Sequence, residues 1–258
     1  MQLISTLGTD PEIFLYDSKN NKFISSVGLI GGTKDAFHPI DDEGNGVLED
    51  NVAVEFNTPP CKSPEEFKRN IKKNLDYIRA RAQELGYEIA IQPSAVFEKD
   101  QLDSPGAQEF GCMPDYNAWL GGAQNPRPRA SDGNLRSCGG HVHIALDYGQ
   151  DCLEVIKAMD LFVGCMMLEF DKDTDRRELY GKAGAFRKKS YGVEYRTASN
   201  AWIESDERIQ WVWDQTDKAL DFVMRGNSFT LEQGMKIQEC INTSNLDILA
   251  ELKEEFNL

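Results

Sequence analysis

Four short segments of the 258-residue chain set acids, imidazoles and an arginine at a spacing of two. They are Asp10 and Glu12 in TDPEIF, Glu55 ahead of Asn57 in VEFN, His141 and His143 in GGHVHI, and Glu194 and Arg196 in VEYR. Side chains two apart on a strand share a face, and the residue between each pair is apolar. If these strands share a sheet, one face holds three or four carboxylates, two imidazoles and a guanidinium. Carboxylate oxygens with an added imidazole suit Mg²⁺ or Mn²⁺. Packed carboxylates also repel one another until cations neutralise them. A single D-x-E is usually surface and a single H-x-H often structural. The coincidence of four such segments is what points to a divalent-cation site.

A second feature answers the first. Between positions 176 and 196 lie seven basic residues (Arg176, Arg177, Lys182, Arg187, Lys188, Lys189 and Arg196) and only two acids. Cations beside a carboxylate–metal site suit a polyphosphate, whose charge both groups neutralise. Gly181, Gly184 and Gly192 would let backbone approach a ligand closely, which favours Arg187 and Arg196. Lys188 and Lys189 read equally well as a solvated loop.

The elements that must carry these residues follow from pattern. Glu12 to Tyr16, Val52 to Asn57, Tyr87 to Gln92, Gly139 to Leu146 and Val193 to Thr197 read as strands. A helix begins at Pro64, with Ser63 as N-cap and Glu66 closing a capping box, and its apolar positions recur every three or four residues. Asp151 to Phe170 is apolar on nearly every side and reads as a central helix. Further helices are expected over Asp206–Met224, Leu231–Ile241 and Leu246–Phe256. The long Gly-, Pro- and Asn-rich stretch from Glu98 to Ser137 carries Tyr116, Trp119 and three arginines, and reads as a substrate-side loop. These elements predict an α+β domain, mainly antiparallel sheet, with helices on one face and the active site on the other.

Composition narrows the setting. The net charge of −15 disfavours nucleic acid and anionic membranes. The six cysteines are scattered without a C-x-x-C pair, so neither a disulfide framework nor a zinc knuckle is indicated. The opening MQLISTLGTDPEIF lacks a signal-peptide pattern, and no apolar run approaches the ~20 residues of a membrane span. A cytoplasmic protein is expected, or one of the host cytoplasm if phage-encoded.

The motifs also resemble a known family. GTDPEIFLYD resembles the opening strand of glutamine synthetases, with Asp10 in place of a Glu. GGHVHI resembles their histidine segment, and more closely the H-V-H of glutamate–cysteine ligases. KAGAFRKK followed by YGVEYRTASN resembles their arginine loop and the strand after it. GLIGGTKD, EDNVAVEFNTPP, GCMPDYNAW and the Gly-Lys-x-Gly-x-Phe-Arg loop resemble the phage-type COOH–NH₂ ligases (amidoligases) of that superfamily. The resemblance spans roughly residues 8 to 200 and leaves 201–258 as a helical addition to one catalytic domain over 1–258.

The resemblance implies a glutamine-synthetase-like catalytic domain that uses ATP and Mg²⁺ or Mn²⁺ to join a carboxylate to an amine, either one a small molecule or a peptide or protein, through an acyl phosphate. It gives Asp10, Glu12, Glu55, His141 and Glu194 to the metals, with Glu49 or Asp50 as an extra ligand. His143, Arg187 and Arg196 would act on the transferred phosphoryl, and Thr33, Lys34, Lys182 and Arg187 would contact the nucleotide. No Walker A pattern is present. The base for the amine has no clear candidate beyond acids of the long loop, such as Glu109 or Asp115. A metal-dependent phosphoesterase or nuclease, a cupin-like iron site and a non-catalytic protein keeping the ligase fold are the competing readings. The first leaves the glycine-rich arginine loop unexplained, the second sits badly with the long capped helices, and the third leaves unneutralised acids without a purpose.

Overall fold

The computed structural model describes residues 3–108, 115–126, 133–147 and 150–258. In chain order the strands are β1 (Leu7–Thr9), β2 (Glu12–Asp17), β3 (Lys22–Ile24), β4 (His38–Pro39), β5 (Gly46–Asp50), β6 (Ala53–Asn57), β7 (Glu88–Ala90), β8 (Ser94–Val96), β9 (Tyr116–Asn117), β10 (Ala123–Gln124), β11 (Leu135–Ser137), β12 (Val142–Ala145), β13 (Ala185–Lys189) and β14 (Gly192–Tyr195). The α-helices are α1 (Pro64–Glu84), the single turns α2 (Pro105–Gln108) and α4 (Arg176–Leu179), α3 (Cys152–Met159), α5 (Asp206–Met224), α6 (Leu231–Thr243) and α7 (Leu246–Phe256).

The strands form two main sheets, where the sequence pattern suggested one. The first runs β1-β12-β14-β13-β9-β10, and the second β3-β2-β6-β5-β4 with β7 alongside β2. A two-stranded antiparallel pair, β8 with β11, stands apart. All of these pairings are antiparallel. The chain crosses from one sheet to the other at Asp10–Pro11, between β1 and β2. Three backbone bonds tie the crossing: Phe56 N–H to Pro11 C=O, Thr58 N–H to Thr9 C=O, and Glu12 N–H to Gly139 C=O. Proline supplies no amide of its own here, so the joint relies on its carbonyl.

The first sheet buries one face under helices. Val142, Ile144, Val193 and Tyr195 point into the same core as Val155, Ile156 and Met159 of α3, Val212 and Leu220 of α5, and Ile237 of α6. Alternation then turns His143, Glu194 and Arg187 to the opposite face. On the second sheet, Ile13, Val54 and Phe56 share that core with Phe67, Ile71 and Ile78 of α1. At the α1 start the Ser63 hydroxyl accepts from Glu66 N at 3.2 Å as expected, but the Glu66 carboxylate takes the N–H of Lys62, so the expected capping box is not closed on Ser63. The reverse face of the second sheet has a smaller core, in which Phe14 meets Phe97 and Phe23 edge-on.

The apolar 151–170 stretch is not one α-helix. After α3 the chain widens into a π-turn over Asp160–Cys165 and tightens into a 3₁₀ turn over Met166–Glu169. Asp160 opens that turn and accepts from Trp119 Nε1 at 2.6 Å, Tyr195 Oη at 2.9 Å and Thr197 Oγ1 at 3.2 Å. Trp119 also packs over Gly234, where a Cβ would come within 2.7 Å of its ring. This tryptophan therefore anchors the long segment to the helices instead of lining a ligand site. The same segment adds β9 and β10 as edge strands beside β13. None of the described helices is long and apolar enough to cross a membrane.

Candidate active site

The open face of the first sheet and the cleft-side face of the second meet at the Asp10–Pro11 crossing. A cleft of about 520 Å³ lies there, lined by Asp10, Glu12, Glu55, His143, Arg187 and Arg196 among others. A narrow extension of about 70 Å³ continues inward past Glu12, Asp50, Arg136, Arg176 and Arg196.

Asp10 sits between the two imidazoles. His141 Nδ1 lies 3.1 Å from Asp10 Oδ1, and His143 Nε2 lies 3.1 Å from Asp10 Oδ2. Register explains the next neighbours, because His143 pairs with Glu194 and Glu194 with Arg187 across three adjacent strands. Glu194 is fully buried. It is paired tightly with Arg196, lies 2.7 Å from Lys189 Nζ and 3.6 Å from Arg187, and His141 is 3.8 Å away. The hydroxyl of Tyr191, in the β13–β14 turn, is 2.5 Å from His143 Nδ1, and its ring stacks on the imidazole.

A second acid group forms on the other sheet. Glu12 and Glu55 are directly opposed on β2 and β6, Leu48 is opposed to Glu55, and Asp50 lies two residues further along β5 on the same face. Among the described residues, two groups thus have the make-up of cation sites: Asp10, His143 and Glu194, and Glu12, Asp50 and Glu55. Within each, the candidate ligand atoms lie within 4.8 Å of one another.

Electrostatics separate the two groups. Burial works to raise Asp10, but the charges of His143 and His141 and their hydrogen bonds outweigh it and hold its carboxyl well below the usual range. Burial likewise works against ionised Glu194, yet the Arg196 guanidinium brings it down to about 2. The other group goes the opposite way. Burial, with Asp50 next in weight, pushes Glu12 up to about 7. Burial and the charges of Asp10, Glu12 and Asp50 push Glu55 well above its ordinary value. Burial, then the nearby Arg196, lowers His141 to about 4, so it is a neutral imidazole at pH 7. Asp10 and its hydrogen bond raise His143 against the effect of burial.

This donor set fits a hard divalent cation. It offers carboxylate oxygens and imidazole nitrogen, and Glu12 and Glu55 would ionise together only with added positive charge nearby.

Of the residues expected from sequence, the cleft gathers Asp10, Glu12, Lys34, Glu55, His141, His143, Arg187 and Arg196 along its walls, with Glu194 behind them. The acids come from two sheets, not one, because the crossing at Pro11 separates Glu12 and Glu55 from the histidine strand. Geometry groups His143 with Asp10 and Glu194, whereas the resemblance assigned the metal to His141. Thr33 is exposed, and its hydroxyl accepts from Ala36 N within its own turn. Lys182 is exposed as well, and its carbonyl accepts from Thr197 Oγ1 and Ala185 N–H. Neither lines the cleft. Lys34 reaches Asp50 at 2.7 Å.

Of the alternatives Glu49 and Asp50, Asp50 is the one that lies with Glu12 and Glu55. Glu49 points to the other face and accepts from the backbone N–H groups of Gly28, Ile30 and Gly31. Asp115 is 3.9 Å from Arg196, and Glu109 lies outside the described residues. Arg176 of the basic stretch is structural, because it is buried and donates to the carbonyls of Cys138, Arg196, Thr197 and Ala198. Sequence reasoning undervalued Lys189 and missed Tyr191. The signal for Lys189 was strand β13 itself, on which it shares a face with Arg187 while Phe186 and Lys188 face the other way.

Two antiparallel sheets meet at an acid-lined cleft in an α+β protein, with imidazoles and guanidinium groups on one wall. The family follows from sequence: the profile of glutamate-cysteine ligase family 2 matches residues 6–167, and that of phage phiEco32-like COOH.NH2 ligase-type 2 matches residues 130–214. The chain belongs to glutamate-cysteine ligase family 2 and is similar, over its central part, to the phage-type COOH.NH2 ligases. A glutamine synthetase from Plasmodium falciparum is similar in structure over 85% of this chain and 52% of its own, at 9% identity and a TM-score of 0.45. The chain thus spans about half the length of that glutamine synthetase. No curated protein matches the sequence.

Proposed function

We propose that the chain, acting as one catalytic unit, joins a carboxylate to an amine at the expense of ATP. The observation that carries this reading is the presence of two carboxylate groups and three cations, Arg187, Lys189 and Arg196, around a single cleft. Family membership supplies the reaction class. A free carboxylate is a poor electrophile. An oxygen of the substrate carboxylate attacks the γ-phosphorus of ATP, ADP leaves, and an acyl phosphate results. The amine nitrogen then attacks the acyl carbon, the C–O bond to phosphate breaks, and the nitrogen gives up a proton as the amide forms.

Asp10, His143 and Glu194, with His141 beside them, and Glu12, Asp50 and Glu55 would hold Mg²⁺ or Mn²⁺. When bound, these ions neutralise phosphate charge and polarise the transferred phosphoryl group. Arg187 and Lys189 project from one strand face, where they can orient the polyphosphate. Arg196 holds Glu194 in its ionised form and lines the inner extension. No side chain needs to act as a covalent nucleophile, so the protein's part is placement and charge compensation.

Product analysis tests the reading. The protein is incubated with ATP, Mg²⁺ or Mn²⁺ and a pool of cellular metabolites. ADP and phosphate formed only when the pool is present are expected. AMP and pyrophosphate would mean adenylate chemistry and would sink the acyl-phosphate route.

A further inference from the structure

The loop that carries Lys34 is built to hold it over the cleft. Thr33 and Ala36 exchange both backbone hydrogen bonds, which closes a tight turn with Lys34 and Asp35 at its tip. The base of the loop is pressed against β5: Glu49 N–H donates to Gly32 C=O, and a Cβ on Gly32 would lie 2.4 Å from Val47 O. Gly32 also has φ +83°, in the region that disfavours other residues. From this turn Lys34 Nζ reaches to 2.7 Å from Asp50 Oδ1. The aspartate side chain is only 11% exposed and the lysine 49%, so the lysine enters the acid group from solvent. It also lines both the cleft and its inner extension alongside Glu12 and Asp50.

One ammonium against three carboxylates leaves the group short of positive charge, and the Glu12–Glu55 repulsion persists. A divalent ion would supply two charges to the same oxygens. It could not share Asp50 Oδ1 with an ammonium at contact distance, since like charges that close repel strongly in a partly desolvated site. A half-exposed lysine at a turn tip loses little by returning to water.

We propose that Lys34 is a tethered counter-ion, which occupies the Glu12–Asp50–Glu55 group when no divalent cation is there and is displaced when one binds. The proposal rests on the divalent-metal part of the function proposed above. It makes this group a conditional cation site, weakened by a competitor that the chain carries with it. The ammonium meets Asp50, within the Glu12–Asp50–Glu55 group, so the Asp10–His143–Glu194 group is the internal reference for this residue.

Mn²⁺ binding decides the matter without any need for turnover. Chelator-treated protein is titrated with Mn²⁺ at fixed ionic strength, and the free ion is followed by electron paramagnetic resonance for the wild type, Lys34→Met, Lys34→Gln and Lys34→Arg. Removing the charge should tighten one class of bound Mn²⁺ about fivefold, the scale of one partly exposed ion pair. The other class should stay unchanged, and Lys34→Arg should remain within about twofold of the wild type. Two bound ions that ignore both uncharged variants, or bind them more weakly, would overturn the proposal and leave the ligase reading standing. Failure of the wild type to bind any Mn²⁺ would overturn it together with the metal part of that reading. Circular dichroism of each variant guards against a folding artefact, and agreement between Met and Gln guards against an effect of side-chain shape.

Discussion

Replacing Glu194 with Gln keeps the shape of the side chain and removes its charge. In the native protein the carboxylate is fully buried among Arg196, Lys189 and Arg187. Burial works to raise its pKa, but the Arg196 charge brings it from 4.5 down to about 2. At about 1.4 kcal/mol per tenfold change in proton affinity, the difference is worth about 3 kcal/mol of folding stability. The folded pKa is the depressed one, so this contribution is complete above pH 4.5 and is lost as pH falls through about 2. Glu194→Gln should therefore lose about 3 kcal/mol at pH 7, in keeping with the cost of leaving buried cations without their partner. Urea unfolding of chelator-treated protein measures it as a lower midpoint at unchanged slope. Relative to the wild type the gap should shrink to under about half its size by pH 3. A loss below about 0.5 kcal/mol at pH 7, or a gap that does not change between pH 7 and pH 3, would refute the assignment of this carboxylate as the charge that holds the three cations together.

The other predictions concern the cleft wall, the helix layer and the Lys34 loop. Arg187→Ala and Lys189→Ala should each lower ADP formation by about tenfold or more, the scale of a charge-assisted contact to phosphate, while Lys188→Ala, on the opposite strand face, should stay within about twofold. Equal, small effects in all three would remove β13 from the reaction. Asp160→Ala should cost about 2–4 kcal/mol, because Trp119, Tyr195 and Thr197 lose their common acceptor, and thermal or urea unfolding would show it. Burial raises Asp160 from 3.8 to about 7, so its ionisation should make the wild type lose stability as pH rises from about 4 to 7, and Asp160→Asn should lack that part of the slope. Gly32→Ala should destabilise by about 2 kcal/mol or more, since the new methyl meets Val47 O at 2.4 Å. Gly28→Ala, at φ +78° with nothing within 4 Å, should cost only about 1 kcal/mol, so comparable losses would mean that the loop base is not tightly docked.

The sequence by itself determined which way the acids and imidazoles face along their own strands. Alternation at a period of two is local, and it holds for His141 and His143 against Val142, and for Glu194 against Val193 and Tyr195. Local capping and periodicity likewise fixed α1 at Ser63, and α5 and α7 run over the expected residues. What alternation cannot state is which strand lies beside which, because pairing joins residues far apart in the chain. Only the tertiary structure put β2 and β6 in a different sheet from β12 and β14, turned Pro11 into the joint between them and so made a cleft of what looked like a flat face. It also placed Asp50 with Glu12 and Glu55 and turned Glu49, on the same strand, to the opposite face. Lys189 and Lys34 owe their places to strand register and a loop docked by Gly32. Arg176 was drawn out of the basic stretch by four carbonyls. Charge and residue type read alike for a cation that meets a carboxylate and one that meets a carbonyl, and the difference lies in what the folded chain brings within about 3 Å.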